Sequence, residues 1–456
     1  MTEPPVDAVV VGGGIAGLTA AYRLRERSIV LLEASDRLGG RIRSERRGDY
    51  WLNFGAHVFG SPESATGRLL TELGVAAEPA PGRLAAVALR GAIVKSGPVE
   101  LFPLRLPLTM NARLALVRAG LKLRLGVRRY GKIAAEREGE DPAARQQRLL
   151  DFLDDRSFAE FIGPLPDDVS ALFRSTLTRS SGEPRDLAAG YGIGYFHLVW
   201  NRSEGLSRNI LGGSSTVIDA LAAGVADAIQ TGAVVTAVEP HGDTATVRYR
   251  ADGNERELEA RAVVVAAPAY EARQIVSGLP DDTAAALEAI PYGPYVVGAF
   301  KTNEEGPMPW DDVYAIATPG RSFSMLFNTA NVLRSGPRQP GGSLMVYAAA
   351  DFARALDGED DEVVAARYRD DLDELFPGAR DIIEETVVVR LPRGLPYPRP
   401  GRSRLQPTLT RSLAPVYLAG DYLGTWYTET SVQTASAAAA AIERRLAGRR
   451  ARPAGG

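Results

Sequence analysis

The chain has 456 residues, room for roughly two or three domains at about 100 to 200 residues each, and its 45% hydrophobic and 24% charged residues suit a globular protein rather than a disordered or fibrous one. A formal net charge of −3 supplies no field that would draw the chain to nucleic acid. With no cysteine there is no disulfide, thiol nucleophile, cysteine metal site or thioether link to a cofactor, and the three histidines, His57, His197 and His241, stand too far apart in sequence to suggest a metal centre.

The N-terminus passes from Met1-Thr-Glu-Pro-Pro5 straight into an apolar run, without the basic and apolar regions of a secretory leader. No uninterrupted apolar stretch reaches the roughly 18 to 20 residues of a spanning helix. The expected location is therefore cytoplasmic.

Val6 to Val11 reads as a buried parallel strand and Ile15 to Arg25 as a helix with apolar residues at helical spacing, so Gly12, Gly14 and Gly17 fall at a strand-to-helix turn. The first glycine permits the tight turn, the second lets a pyrophosphate approach the backbone, and the third lets helix and strand pack closely. An anion then sits on the helix N-terminus, opened by Ile15 and Ala16, where unpaired N–H groups and the helix dipole favour negative charge. Ser28 to Leu32 reads as the next strand. Glu33 ends it, 21 residues after Gly12, where a carboxylate can accept both ribose hydroxyls of an adenosine. Strand, helix, second strand and terminal acid in that order predict a dinucleotide site.

The stretch continues as Glu33-Ala34-Ser-Asp-Arg-Leu-Gly39-Gly40-Arg41. Gly39-Gly40 gives a backbone that a cofactor can approach, and Arg41 supplies a guanidinium for phosphate. On these residues the segment 7 to 60 resembles the start of the flavin-containing amine oxidoreductase superfamily, which includes monoamine oxidases, protoporphyrinogen oxidases and carotenoid desaturases. The resemblance implies FAD, with Arg41 beside its phosphates. It also implies that Gly55, Ala56 and His57, in Asn53-Phe-Gly-Ala-His57, pass beside the flavin ring.

Residues 101 to 132 carry eight basic residues and no acid, interleaved with leucines. Such a basic amphipathic helix either rests on an anionic membrane surface, at the inner face of the membrane, or packs over the substrate cavity with its arginines solvated.

Gly232-Ala-Val-Val235-Thr-Ala-Val238, followed by Val247-Arg-Tyr and Ala262 to Pro268, reads as a β-meander returning to a buried strand; by resemblance Val235 contacts the adenine half. Ile290 to Lys301 covers the strand on which amine oxidases carry a lysine that reaches the flavin through water. Here that position is Val297, and Lys301 lies four residues on, at an expected exposed strand end. Leu391 to Gly401 is similar to the W-P-x-x-x-P-x-Y segment of protoporphyrinogen oxidases, with Leu391 for the tryptophan. Pro415-Val-Tyr-Leu-Ala-Gly420-Asp421 reads as a buried strand, and related flavoproteins use that acid for the ribityl chain. Tyr427 to Ile442 resembles the Y-x-E-G-A helix whose first amides face the flavin, with Thr430 and Ser431 in place of Gly-Ala. Tyr427 is expected to flank substrate.

The matches imply an α/β fold: a discontinuous Rossmann-type FAD-binding domain of the glutathione-reductase-2-like kind at 1–80, 205–275 and 395–456, and an inserted α+β substrate domain at 81–204 and 276–394. The function expected is dehydrogenation or desaturation of a bulky, mainly hydrophobic small molecule with non-covalent FAD and no metal. Amine oxidation, including the tailoring of a natural product, is the alternative.

Overall fold

The computed structural model describes residues 4–80, 86–200 and 208–450. The domain boundaries drawn at 81 and at 204/205 lie outside the described residues. Strand β1 (Ala8–Val11) is buried along its whole length because both its faces are covered. It leads into helix α1 (Ile15–Arg23) and strand β2 (Ile29–Leu32). With β3 (Ile229–Gln230), β4 (Val263–Val265) and β5 (Val416–Leu418) they build a parallel five-stranded sheet in the order β5-β4-β1-β2-β3.

Alternation along the strands decides what covers each face. Ala8 and Val10 point to α1 and to helix α2 (Tyr427–Arg450), where Ala16, Ala20 and Ala21 meet Ala435, Ala438, Ala439 and Ile442. Small side chains on both helices allow that close contact. Val9, Val11, Val263 and Val265 point the other way, onto Val238, Val247 and Tyr249 of an antiparallel meander, Val234–His241, Thr244–Ala251 and Asn254–Ala260. The meander and the return strand stand where the sequence placed them.

A second, seven-stranded sheet is built around Tyr292–Thr302, which pairs antiparallel with Ile383–Pro396 on one side and Gly342–Ala349 on the other. A helical layer (Met110–Ala134, Asp167–Leu177 and Ala189–Trp200, with shorter helices between) packs through Leu123, Tyr130, Phe158, Ile193 and Phe196. The 189–200 helix approaches its neighbours closely: a Cβ on Gly190 would stand 1.5 Å from the Phe152 carbonyl oxygen. Tyr191 and Tyr195, four residues apart, therefore share one face of a helix that is buried along most of its length.

Candidate active site

The glycine-rich turn is closed from below and open above. A Cβ on Gly17 would lie 1.8 Å from the Gly12 carbonyl oxygen, so only glycine lets α1 start this close to β1. Over Gly14 none of the described residues stands within 4 Å of such an atom. The first-turn N–H groups of α1, Ile15 and Ala16 among them, face this concavity without intrahelical partners. A cradle shaped this way fits a pyrophosphate.

The Glu33 carboxylate lies against the cradle, accepting from the Gly13 N–H at 2.5 Å and from the N–H and hydroxyl of Ser35 at 2.8 and 2.7 Å. Its own carbonyl accepts from Ala233 N–H at 2.8 Å, and Gly232 N–H donates to Ser35 at 2.9 Å. These two bonds bring Val235 beside the strand end, at an irregularity in the meander's register. Ala34 is exposed there. On the other side Gly39 N–H donates to Gly13 at 2.9 Å, which seats Gly40 against Gly14.

Arg41 and Asp421, 380 residues apart, form a bidentate ion pair with N–O distances of 2.7 and 3.0 Å, and Arg41 also donates to the Gly394 carbonyl at 3.0 Å. Burial works against the Arg41 charge, but the charge and hydrogen bond of Asp421 together with Tyr292 and Tyr270 outweigh it and hold the guanidinium above its ordinary pKa. The sequence reading set these two residues on different parts of the cofactor; the structure joins them to each other. The Ala56 N–H donates to the Arg41 carbonyl at 3.2 Å, fixing the Gly55-Ala56-His57 turn over the same residue. His57 Nδ1 lies 3.0 Å from the Gly55 carbonyl, which can only accept, so Nδ1 carries the hydrogen and Nε2 is bare. That Nε2 is buried without a partner among the described residues, and burial pushes the imidazole pKa down to about 4.

Gly420 N–H donates to Thr434 at 3.0 Å, tying the end of β5 to α2. Thr430 Oγ1 accepts from Trp426 N–H at 2.9 Å, so the residue found in place of glycine closes the turn that starts α2; Ser431 is buried beside it. The Glu429 carboxylate accepts from Ala65 N–H, Thr66 N–H and Thr66 Oγ1 at 2.6, 2.9 and 2.8 Å, capping helix Ala65–Glu72 from a distant segment.

Tyr427 has φ +40°, in the left-handed region, which costs an aromatic residue about 1 to 2 kcal/mol. Its hydroxyl lies 2.6 Å from that of Tyr191, and Trp426 stacks on Tyr191 with centroids 5.1 Å apart. Beyond them stand Tyr195, Tyr295, Tyr314 and Tyr347, whose hydroxyls are all held above the usual pKa by burial and so remain neutral donors. Arg179 sits among these rings: Nε donates to Tyr347 Oη at 3.2 Å, and its guanidinium lies 5.2 Å from the Phe327 centroid and 5.6 Å from that of Tyr195. A narrow crevice lined by Asp421, Thr425 and Tyr427 touches both the ion pair and this aromatic cluster. Arg179 and these tyrosines were missed in the sequence. Only the repeat Gly190-Tyr191-Gly-Ile-Gly-Tyr195, which sets two tyrosines four apart, carried a signal.

Val297 is buried between Val389 and Tyr347, while Lys301 is paired with Glu384 at 2.8 Å at the partly exposed end of the strand. No helix among the described residues is long and apolar enough to cross a membrane.

Residues 15–442 match the family described as flavin containing amine oxidoreductase. Coproporphyrinogen III oxidase of Mycobacterium leprae is 30% identical over 206 residues, which span 43% of this chain and 44% of that protein, less than half of its length. Among solved structures, cyclohexylamine oxidase from Brevibacterium oxydans IH-35A matches with a TM-score of 0.77 at 19% identity over 97% of this chain and all of that one. A putrescine oxidase bound to putrescine also gives 0.77, at 20% identity over 96% of this chain and 99% of that one. At these identities the two structures establish the fold.

Proposed function

Because the chain belongs to the flavin-containing amine oxidoreductase family, we propose that it binds FAD non-covalently and removes a hydride from a bulky, mainly hydrophobic small molecule. FAD, when bound, supplies the two-electron acceptor. The chain's own residues hold and orient. The Gly12–Gly17 turn, with Ile15 and Ala16, takes the pyrophosphate; Glu33, Ala34 and Val235 flank the adenosine; Gly40 and Arg41 approach the phosphates. Gly55, Ala56 and His57 run beside the ring, Gly420 and Asp421 address the ribityl chain, and the start of α2 presents its unpaired amides to the ring edge, with Thr430 and Ser431 beside them. The discontinuous cofactor domain and its inserted substrate domain are part of this reading.

One observation carries the choice of substrate. By resemblance the position that holds a lysine in amine oxidases falls at Val297, which is buried, and the wall beyond it is a cluster of neutral tyrosines around Tyr427. Such a wall excludes water and packs against a large apolar molecule. The stacked Trp426 and Tyr191 beside Tyr427 favour amine oxidation as the second reading. Incubating the purified yellow protein with cell extract and following masses separates the two. Loss of two hydrogens with nitrogen retained supports dehydrogenation, and loss of nitrogen with an aldehyde product supports the second. A colourless protein that cannot be reconstituted with FAD overturns both.

The 110–134 helix supports a peripheral contact with an anionic membrane surface. At 100° per residue, its buried residues Ala112, Ala119, Leu123, Gly126 and Tyr130 fall on one side. Met110, Leu114, Val117, Leu121 and Leu125, all exposed, fall on the opposite side within an arc of about 80°. A second apolar stripe facing water among Arg113, Arg118, Lys122, Arg128 and Arg129 has the charge and shape to enter an anionic interface.

A further inference from the structure

We propose that the substrate carries a carboxylate and that Arg179 is the residue that binds it. This rests on the reading that the aromatic cluster around Tyr427 receives substrate. Three arginines that reach into this protein are matched with acids, Arg41 with Asp421 at 2.7 Å, Arg174 with Glu183 at 2.7 Å and Arg334 with Glu304 at 2.6 Å, while the buried Arg402 donates to neutral oxygens of Gln406 and Tyr422, both at 2.8 Å. Arg179, five residues beyond Arg174, has no acid partner among the described residues. Among the described residues it makes one side-chain hydrogen bond, through Nε, to a neutral phenol.

The rings of Phe327 and Tyr195 flank its guanidinium, and Tyr295 donates to its main-chain carbonyl, so the residue is held in place. The side chain remains partly exposed. Its two terminal amino groups therefore offer a planar fork with no acceptor, the geometry that a carboxylate fills with two parallel charge-assisted bonds. The nearby imidazole cannot be that acceptor's rival, because His57 has a single bare nitrogen and no negative charge. A guanidinium half withdrawn from water among aromatic rings loses part of its hydration, and an arriving anion offsets that loss. The substrate read from this wall is an amphipathic acid: a large apolar body with a carboxylate at one end.

The test uses the holoenzyme and two probes of one shape, 2-naphthoate and 2-naphthylmethanol, titrated against the visible spectrum of the bound flavin and, in parallel, by thermal shift. The expected result is acid binding tighter than alcohol by about tenfold, equal to 1.4 kcal/mol. Arg179→Gln is expected to abolish that preference while leaving alcohol binding unchanged, and Arg179→Lys to keep part of it as a point charge without the fork. Tyr347→Phe, which frees Nε without removing the charge, is expected to retain the preference and keeps the test available if Arg179→Gln does not fold. Equal binding of the two probes by the wild type, or a preference that survives Arg179→Gln, overturns the proposal. A colourless protein defeats the flavin reading instead, and the thermal shift then still decides on the anion site.

Discussion

Replacing Asp421 by Asn keeps the shape of the side chain and removes the charge that faces Arg41. Two unit charges in contact attract by about 4 kcal/mol at an effective dielectric of about 20. Part of this is returned as the desolvation of a carboxylate only 5% exposed, and the 32% exposure of the Arg41 side chain screens the rest. The net coupling expected is about 2 kcal/mol. At about 2.1 cal/mol/K per residue, unfolding a chain of this length carries about 1 kcal/mol/K of entropy, so the loss is worth about 2 °C in Tm. The assay is a double-mutant cycle on flavin-stripped protein: Asp421→Asn, Arg41→Gln and the pair. Each single substitution is expected to lower Tm by about 2 °C and the double by about the same amount. Both singles are also expected to lower the flavin content of protein purified without stripping, measured as visible over ultraviolet absorbance. Losses that simply add in the double mutant refute the coupling, and full flavin occupancy in both singles refutes the cofactor contacts assigned to them.

His57 gives a pH dependence with a definite sign. Its pKa is about 4 when folded against 6.5 unfolded, so its contribution is complete above pH 6.5 and is lost as the pH falls towards 4, because the unfolded chain takes up a proton that the folded one refuses. The loss amounts to about 3 kcal/mol at 1.36 kcal/mol per pKa unit, and His57→Gln is expected to flatten denaturation midpoints across that range; an unchanged slope refutes the assignment. For the helix at 110–134, the wild type is expected to float with phosphatidylserine vesicles at low salt. Leu121→Asp with Leu125→Asp is expected to weaken that binding by more than about tenfold, at roughly 1.5 kcal/mol or more per buried leucine. Flotation equal for wild type and double mutant sinks the membrane contact.

The parts of the site that the sequence made legible are those whose geometry is set within a few residues. The turn at Gly12, Gly14 and Gly17, the strand end at Glu33 and the close backbone at Gly39-Gly40 are fixed by local sterics, and the chain assembles them where their spacing says. The β-meander and the strand before Gly420 were legible for the same reason, since apolar alternation and turn residues specify them directly. The Arg41–Asp421 bond was not, because it depends on how β5 docks against β4 and on where the 391–396 strand brings the Gly394 carbonyl. Arg179 was the least legible. Its neighbours come from the 189–200 helix and from two central strands, where each tyrosine reads singly as an ordinary core residue.

The first turn of α2 shows how a departure from a family pattern is absorbed. In Tyr427-Thr-Glu429-Thr430-Ser431 the glutamate is kept while the small pair after it is replaced. The structure gives the two positions separate tasks. Glu429 faces away from the turn and satisfies three donors at the start of the 65–72 helix, so substituting it exposes orphan N–H groups on another element. Thr430 faces inward, and its hydroxyl accepts the Trp426 N–H, which would otherwise be an orphan donor of the turn. Thr430, standing in place of glycine, thus supplies a bond that glycine cannot. The helix start therefore rests on Thr430 inside the turn and on Glu429 outside it, and the strained Tyr427 lies within the turn that the Trp426–Thr430 bond closes.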